Sequence, residues 1–341
     1  MFFIVSLLFL PHLLRANAEN CDFFQGSWVF DEPYPTYNSS ICPFIEKEFN
    51  CLRNGRPDHL YLKYRWQPQG CDLAKFDGRA FLQKFRGKSI LFAGDSLTRD
   101  QYMSLACLLY TSVPGTNYNM TREGLISTLK FLDYGLTLIL DRNAFLVDLV
   151  PEKIGVVLKL DSVAGSEKLW SGHDLLAFNT WHWWGYKGAQ QPWKYIQIGT
   201  RLLKDMDRMV AFETALETWA KWVDTNVDPA KTTVFFLGVS PSHYKGSDWN
   251  QPQVKNCAGQ TRPLPGPTYP GVLPPALAVQ KKVLSEMRVP VKLLDITTLS
   301  QLRVDAHPSF YGAATAAADC THWCIAGLPD TWNQLLYNLL Y

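Results

Sequence analysis

Residues 87–101 read GKSILFAGDSLTRDQ, and the order of chemistries in this stretch decides the fold. Ile90–Ala93 is a short apolar run without polar alternation, as in a strand buried on both faces of a parallel sheet. Gly94 ends the run. From Leu97 to Tyr110 the pattern turns helical, with Tyr102, Leu105, Ala106 and Leu109 along one stripe. Buried strand, tight turn and helix form the repeating unit of α/β layer folds. Ser96 falls at the start of that helix, beside the carboxyl end of the strand, where open α/β sheets bind ligands. Helix N-terminal amides there can stabilise an oxyanion. Asp and Ser are also ordinary helix caps, so this stretch alone assigns no chemistry.

Working outward, strand-like pieces are expected at Leu129–Tyr134, Leu136–Leu140, Ala144–Val150 and Val156–Leu160. Two more buried strands are expected in DLLAFNT (Asp174–Thr180) and TTVFFLGVS (232–240), and a further strand in VKLLDIT (291–297). Amphipathic helices are expected over Asp205–Thr225, with Phe212, Leu216, Trp219 and Val223 on one stripe, over Ala276–Arg288, and from Asp330 to the end. Asn250–Pro275, rich in proline and glycine, reads as a long loop of the length that carries function. Short apolar strands alternating with helices indicate a doubly wound α/β fold. Cys21–Arg86, rich in cysteine, proline and aromatics, reads as an irregular lobe wrapped on that body. The expected organisation is therefore residues 1–18 as leader, 19–86 as the N-terminal segment and 87–341 as the catalytic body.

The leader MFFIVSLLFLPHLLRANA has an apolar run from Phe2 to Leu14 and a small-x-small site ending at Ala18. It is short for a membrane span and reads as a secretory signal peptide, leaving no stable span after cleavage. All eight cysteines follow it, and in an oxidising compartment an even set suggests four disulfides whose pairing sequence alone does not choose. Sequons at Asn38 and Asn119 fit the same route and predict exposed loops. With 33 basic and 31 acidic residues there is no basic excess for nucleic acid. Twelve tryptophans supply core and, in part, the flat aromatic faces against which sugar rings pack.

Near the C-terminus, Asp319–Cys324 reads DCTHWC. A nucleophilic serine needs a base, and the base needs an orienting acid. Asp319 lies three residues before His322, so on a turn its carboxylate can hold one imidazole nitrogen while the other faces Ser96. Cys320, His322 and Cys324 could instead begin a zinc site, but a fourth ligand is wanting and the other cysteines are dispersed. Disulfides from Cys320 and Cys324 would pin the same loop, so a staple and a catalytic pair are compatible there.

With these motifs in place, the chain resembles the plant trichome-birefringence-like proteins, polysaccharide O-acetyltransferases and esterases related to the GDSL/SGNH hydrolases. The resemblance runs through NCDFFQGSWVFDEPYPTYNSSICPFI, CLRNGRPD, YRWQPQGCDL, ILFAGDSLTRDQ, FNTWHWW, DAHPSFYG and DCTHWCIAGLPDTWNQLLY in that order. It implies an SGNH-like three-layer α/β/α fold with a mainly parallel sheet. It implies Ser96 as nucleophile, His322 as general base and acid, and Asp319 as its orienter. It also implies the pairings Cys21–Cys71, Cys42–Cys107, Cys51–Cys324 and Cys257–Cys320. In SGNH-type sites a glycine N–H and an asparagine side chain join the serine N–H as oxyanion donors; Asn179 matches the asparagine by position, with a loop-cap role as the alternative, and Gly94 is the candidate glycine.

Arg99, one turn beyond Ser96, is read either as a charge stabiliser that could bind an acidic sugar or as a structural ion pair. Trp181, His182, Trp183 and Trp184 resemble a sugar-facing wall, with at least two of the three tryptophans assigned to core. His307 in DAHP is read as structural. The reading is a monomeric, Golgi-luminal or cell-wall enzyme that transfers acetyl to pectin or hemicellulose. It has no bound cofactor or metal. Its acetyl donor is a co-substrate of unknown identity, with an acetyl-CoA-derived donor among the candidates. A pectin acetylesterase with the same residues and a non-catalytic wall-binding protein are the rivals. Intact Ser96, His322 and Asp319 count against the last, because a binder needs none of the three together.

Overall fold

A computed structural model describes residues 21–35, 37–312 and 317–341; the leader and its cleavage site lie outside them. In chain order, β1 (Gly26–Phe30) and β2 (Tyr64–Pro68) form a two-stranded antiparallel sheet and α1 (Gly78–Lys84) follows. Then come β3 (Ser89–Ala93), α2 (Ser96–Ser112), β4 (Tyr118–Glu123), β5 (Ile126–Phe131) and β6 (Leu136–Asp141). A small sheet contributes β7 (Asp148–Glu152) and β8 (Gly155–Lys159); after α3 (Glu167–Trp170) and β9 (Leu175–Phe178) it gains β10 (Tyr195–Ile198) and β11 (Arg201–Leu203). The chain closes with α4 (Arg208–Asn226), β12 (Thr233–Leu237), α5 (Pro275–Glu286), β13 (Val291–Leu294), α6 (Thr297–Gln301) and α7 (Leu328–Leu340).

The central sheet has the order β13-β12-β9-β3-β6-β5-β4. From β13 to β6 every pair is parallel, while β5 and β4 return antiparallel as an edge meander. The sheet is thus mainly parallel, in the three-layer arrangement expected. The period-two geometry of a strand divides its side chains between two cores. Ile90 and Phe92 of β3 enter the core shared with α2, α7 and the N-terminal lobe, whereas Leu91 and Ala93 enter the core beneath α4 and α5. Each large side chain so buried contributes roughly 1.5–3 kcal/mol over leaving it in water. Because both faces are covered, β3 could only read as an uninterrupted apolar run.

Three sequence expectations shift. The strand expected at Leu129–Tyr134 begins at Ile126, and the one at Ala144–Val150 begins at Asp148 and joins the small sheet instead. Asn119 lies on β4, whose residues are all exposed at the sheet edge, and not in a loop; Asn38 caps a short turn and is exposed. The long loop is tied down rather than free. Its Cys257 is bonded to Cys320, Cys257 N–H donates to His243 O (2.9 Å), and Leu264 N–H donates to Leu302 O (2.7 Å).

The N-terminal lobe is fastened to the body at several points. Cys21–Cys71 closes the lobe on itself, Cys42–Cys107 ties it to α2, and Cys51–Cys324 ties it to the DCTHWC loop. Trp28 Nε1–H donates to Leu299 O (2.8 Å), and the Arg303 guanidinium lies 4.3 Å from the Trp28 ring. The charge of Arg303 is itself matched by Asp305 at 2.8 Å, as a buried cation requires. Among the described residues no helix is long and apolar enough to cross a membrane. Four disulfides are consistent with a protein of the secretory pathway or the cell exterior.

Candidate active site

Ser96 occupies the first position of α2, one step beyond the turn that ends β3. The N-cap is Asp95. Its Oδ1 accepts the Leu97 N–H at 2.9 Å, and its Oδ2 faces the N–H groups of Trp181 and His182 at 3.3 and 3.4 Å. One buried carboxylate therefore fastens the serine turn to the segment after β9. Gly94 is required by space, since a β-carbon there would run into the Asn179 carbonyl oxygen and the Thr98 hydroxyl.

His322 and Asp319 approach from an irregular loop. Asp319 Oδ1 accepts the N–H groups of Thr321 (3.0 Å) and His322 (3.1 Å), folding the loop into a turn around the carboxylate. Its other oxygen, Oδ2, accepts from His322 Nδ1–H at 2.8 Å. Ser96 Oγ–H then donates to His322 Nε2 at 2.7 Å. A carboxylate can only accept, so Asp319 selects the tautomer whose Nε2 lone pair faces the serine. Burial opposes the charge on both groups, but their contact prevails. The hydrogen bond and charge of His322 hold the Asp319 carboxyl well below its usual range. Asp319 and Asp100 raise the His322 imidazole above its ordinary value.

Cys320 and Cys324 are both in disulfides, to Cys257 and Cys51, so the loop offers no thiolate for zinc. Among the described residues no group of three or more His, Cys, Asp or Glu could hold a metal.

The remaining predicted site residues fall around this array. The Gly94 N–H is already donated to Asp141 O (3.0 Å), which removes it from the set of free oxyanion donors. Asn179 is buried beside Gly94; its Nδ2 makes only a 3.4 Å contact to Leu237 O, and its Oδ1 has no partner among the described residues. Arg99 is engaged by Glu46 (2.7 Å) and Glu48 (3.1 Å) of the N-terminal lobe, with its guanidinium 4.6 Å from the Phe49 ring, and so takes the structural ion-pair role. Phe49 in turn packs against the His322 ring at 5.3 Å. The N-terminal lobe thus reaches the site, which its irregular sequence did not announce.

Of the aromatic wall, Trp184 is fully buried, while Trp181 and Trp183 are partly buried and pack against the same core, Trp181 on the Phe212 ring. Trp181 and His182 line a cavity of about 630 Å³ with Ser240, Ser242 and the Tyr269–Pro275 end of the long loop. Its wall joins the DCTHWC loop, because Ser242 Oγ lies 3.2 Å from Thr321 Oγ1 and Trp323 Nε1–H donates to Ser240 Oγ at 2.9 Å. Sequence reasoning missed Asp100, His243 and Phe49. Only Asp100 carried a signal, being one helical turn beyond Ser96 on the same face.

Fold and site together define the class of α/β acyl-esterases and acyltransferases. The chain belongs to the GDSL/SGNH-like acyl-esterase family found in Pmr5 and Cas1p, which matches residues 73–339; residues 19–72 match the PMR5 N-terminal domain. Among curated proteins it is similar to protein trichome birefringence-like 41 of Arabidopsis thaliana, with 57% identity over 99% of this chain and 95% of that protein. Similarity to protein trichome birefringence-like 38 of the same plant is 54% over 96% of this chain and 85% of the relative. Protein trichome birefringence-like 4 is 39% identical over 94% of the chain and 75% of the relative.

Proposed function

We propose that this protein is a polysaccharide O-acetyltransferase of the plant cell wall, acting on pectin or hemicellulose through Ser96, His322 and Asp319. The observation that carries the reading is the continuous array Asp319–His322–Ser96 with contacts of 2.8 and 2.7 Å, ending at a serine on a helix N-terminus. In the first half-reaction Ser96 Oγ attacks the acetyl carbonyl carbon while His322 Nε2 takes the Oγ proton and passes it to the leaving group of the donor. An acetyl-serine remains. In the second half-reaction a sugar hydroxyl attacks that ester, His322 takes its proton, and the proton returns to Ser96 Oγ as the serine leaves. The Ser96 backbone N–H and the Asn179 side chain are the oxyanion donors in this reading.

Transfer requires the sugar hydroxyl to outcompete water, hence a bound, oriented acceptor and a shielded acyl-enzyme. The cavity beside His182, walled by Trp181 and a pinned loop, suits that role. A second reading, acetylesterase with water as acceptor, is favoured by the matching family's description as acyl-esterases. The donor is a co-substrate in the first reading and the acetylated polysaccharide itself in the second. Both readings put the protein in the Golgi lumen or the wall, with glycans on the exposed Asn38 and Asn119.

One reaction separates the two. Purified protein, an acetyl donor and de-acetylated wall oligosaccharides are mixed, and free acetate and acetylated oligosaccharide are measured together. The transferase reading expects acetylated oligosaccharide, with Trp181→Ala raising the ratio of hydrolysis to transfer. Release of acetate from acetylated pectin, with no oligosaccharide acetylated from any donor, replaces it by the esterase.

A further inference from the structure

The peptide bond that follows His322 is held at both of its polar ends by buried side chains. Its N–H, that of Trp323, donates to Asp100 Oδ2 at 3.2 Å. Its carbonyl, that of His322, accepts from His307 Nδ1–H at 2.7 Å. Asp100 is fully buried, and its Oδ1 has no hydrogen-bond partner among the described residues. Burying a carboxyl with an idle oxygen is costly, and burial pushes this one up to about 7. That cost is borne one helical turn beyond Ser96, on the helix that carries the nucleophile.

The other jaw is built just as firmly. His307 lies flat on the Trp323 ring (3.9 Å between centroids, 22° between planes), and the Arg56 guanidinium donates to its backbone carbonyl at 2.9 Å. His307 Nε2 is 2.6 Å from His243 Nδ1. With its Nδ1–H committed to the His322 carbonyl, a neutral His307 presents a lone pair at Nε2, so the proton between the rings comes from His243 Nδ1. A third proton would add a bond from His243 Nε2 to Gln301 O, 3.0 Å away. Burial disfavours it, holding both imidazoles below their ordinary value. The His243 backbone also accepts from Cys257 N–H and donates to Cys320 O at 2.8 Å, so the second ring is anchored to the disulfide beside Asp319.

We propose that Asp100 and His307, with His243 fixing the tautomer of His307, are positioning residues that clamp the His322–Trp323 peptide and so hold the His322 imidazole in line with Ser96. Asp100 links base to nucleophile through one rigid helix, and His307 sets the rotation of the same peptide from the opposite side. None of the three touches the reacting atoms. The charged and titratable groups facing His322 are Asp319 on its own loop, Asp100 and Arg99 on α2, His182 after β9, and His307. Asp100 therefore also favours the imidazolium electrostatically.

This clamp rests on the Ser96–His322–Asp319 reading, and the test separates the two. The full-length protein is acylated with p-nitrophenyl acetate under single-turnover conditions, and the His322 ring is titrated by NMR. Asp100→Leu and His307→Phe remove one jaw each and are expected to slow acylation about ten- to a hundredfold with little change in apparent KM, as small misplacements of a catalytic group do. His307→Asn, whose amide can still reach the His322 carbonyl, should recover most of the His307→Phe loss. Asp100→Asn keeps an acceptor but removes the charge, and should move both the His322 titration and the acid limb of acylation to lower pH. Folded Asp100→Leu and His307→Phe with wild-type acylation rates would overturn the clamp. If one of the two variants does not fold, the other decides, and its wild-type acylation rate overturns the clamp. A wild type that is never acylated at Ser96 contradicts the catalytic reading instead, while the His322 titration still reports on the clamp.

Discussion

Ser96 and His322 sit 2.7 Å apart but are put there by different means. Ser96 inherits its position from regular structure. β3 is hydrogen-bonded on both edges, to β6 and β9, and α2 begins at the serine itself with Asp95 as its cap. His322 and Asp319 lie in a segment with neither helix nor strand. Their position comes from the disulfides to Cys51 and Cys257, the Phe49 ring, the Ile325 N–H bond to Phe49 O (3.0 Å), and the bonds to Asp100 and His307. Backbone ladders place the proposed nucleophile; covalent and buried polar cross-links place the proposed base. The first arrangement is local in sequence. The second draws on residues from 49 to 325 and depends on an oxidising compartment. Damage to the two halves should therefore look different.

The largest effects fall on the reacting atoms and do not distinguish the halves. Ser96→Ala and His322→Ala should each remove acyl-enzyme formation by at least about a thousandfold, and combining them should cost little more, because such residues act as a unit. Asp319→Asn should be milder, retaining a misoriented imidazole. Single-turnover acylation rates check all three, and thermal unfolding should change little for Ser96→Ala, whose small side chain is partly exposed and hydrogen-bonds to His322.

A smaller effect separates the halves directly. Removing Cys51–Cys324 by paired serine substitutions should lower stability by about 2–5 kcal/mol and lower kcat together with it. Removing Cys21–Cys71, which closes the lobe on itself and has no end in the loop, should lower stability with a much smaller change in kcat. Denaturant unfolding and initial rates on the same samples give the comparison. Equal losses of kcat per unit of lost stability would mean that the base side has no special dependence on its staple.

The smallest effect is a shift along the pH axis. His322 must be neutral to accept the serine proton, and its pKa is raised by Asp319 and Asp100 against the burial that lowers it. The acid limb of acylation should therefore lie above the ordinary imidazole value, and Asp319→Asn should move it down. Stability runs the other way for this group. A raised imidazole pKa stabilises the fold below its unfolded value, and that increment fades as pH climbs through the folded one. The depressed Asp319 carboxyl stabilises above its unfolded value and loses its increment as pH falls through the folded one. A pH series of rates and of denaturation midpoints checks both signs.

The same contrast explains what sequence could reveal. The β3–turn–α2 unit was legible because burial on both faces, a space-limited glycine and helical spacing are written in consecutive residues. Ser96, Asp319 and His322, which the fold brings into contact, were legible as candidates by residue type. Edge strand β4 was not, since Tyr118–Glu123 is exposed throughout and carries no apolar alternation. Nor was the His243–His307 pair, because the residues lie 64 positions apart in the chain and only the fold brings their rings together. Arg99 was left open between two roles until the fold brought Glu46 and Glu48 to it.

The central claim is that Ser96 becomes acetylated by the action of His322 and Asp319. It is tested most directly by incubating the protein with an acetyl donor, quenching in acid, and mapping the acetyl group by peptide mass spectrometry. The account predicts acetyl on the peptide containing Ser96, absent in Ser96→Ala, strongly reduced in His322→Ala, and lost when an acceptor oligosaccharide is added before quenching. Acetylation elsewhere with Ser96 unmodified, or wild-type turnover by Ser96→Ala, would contradict it.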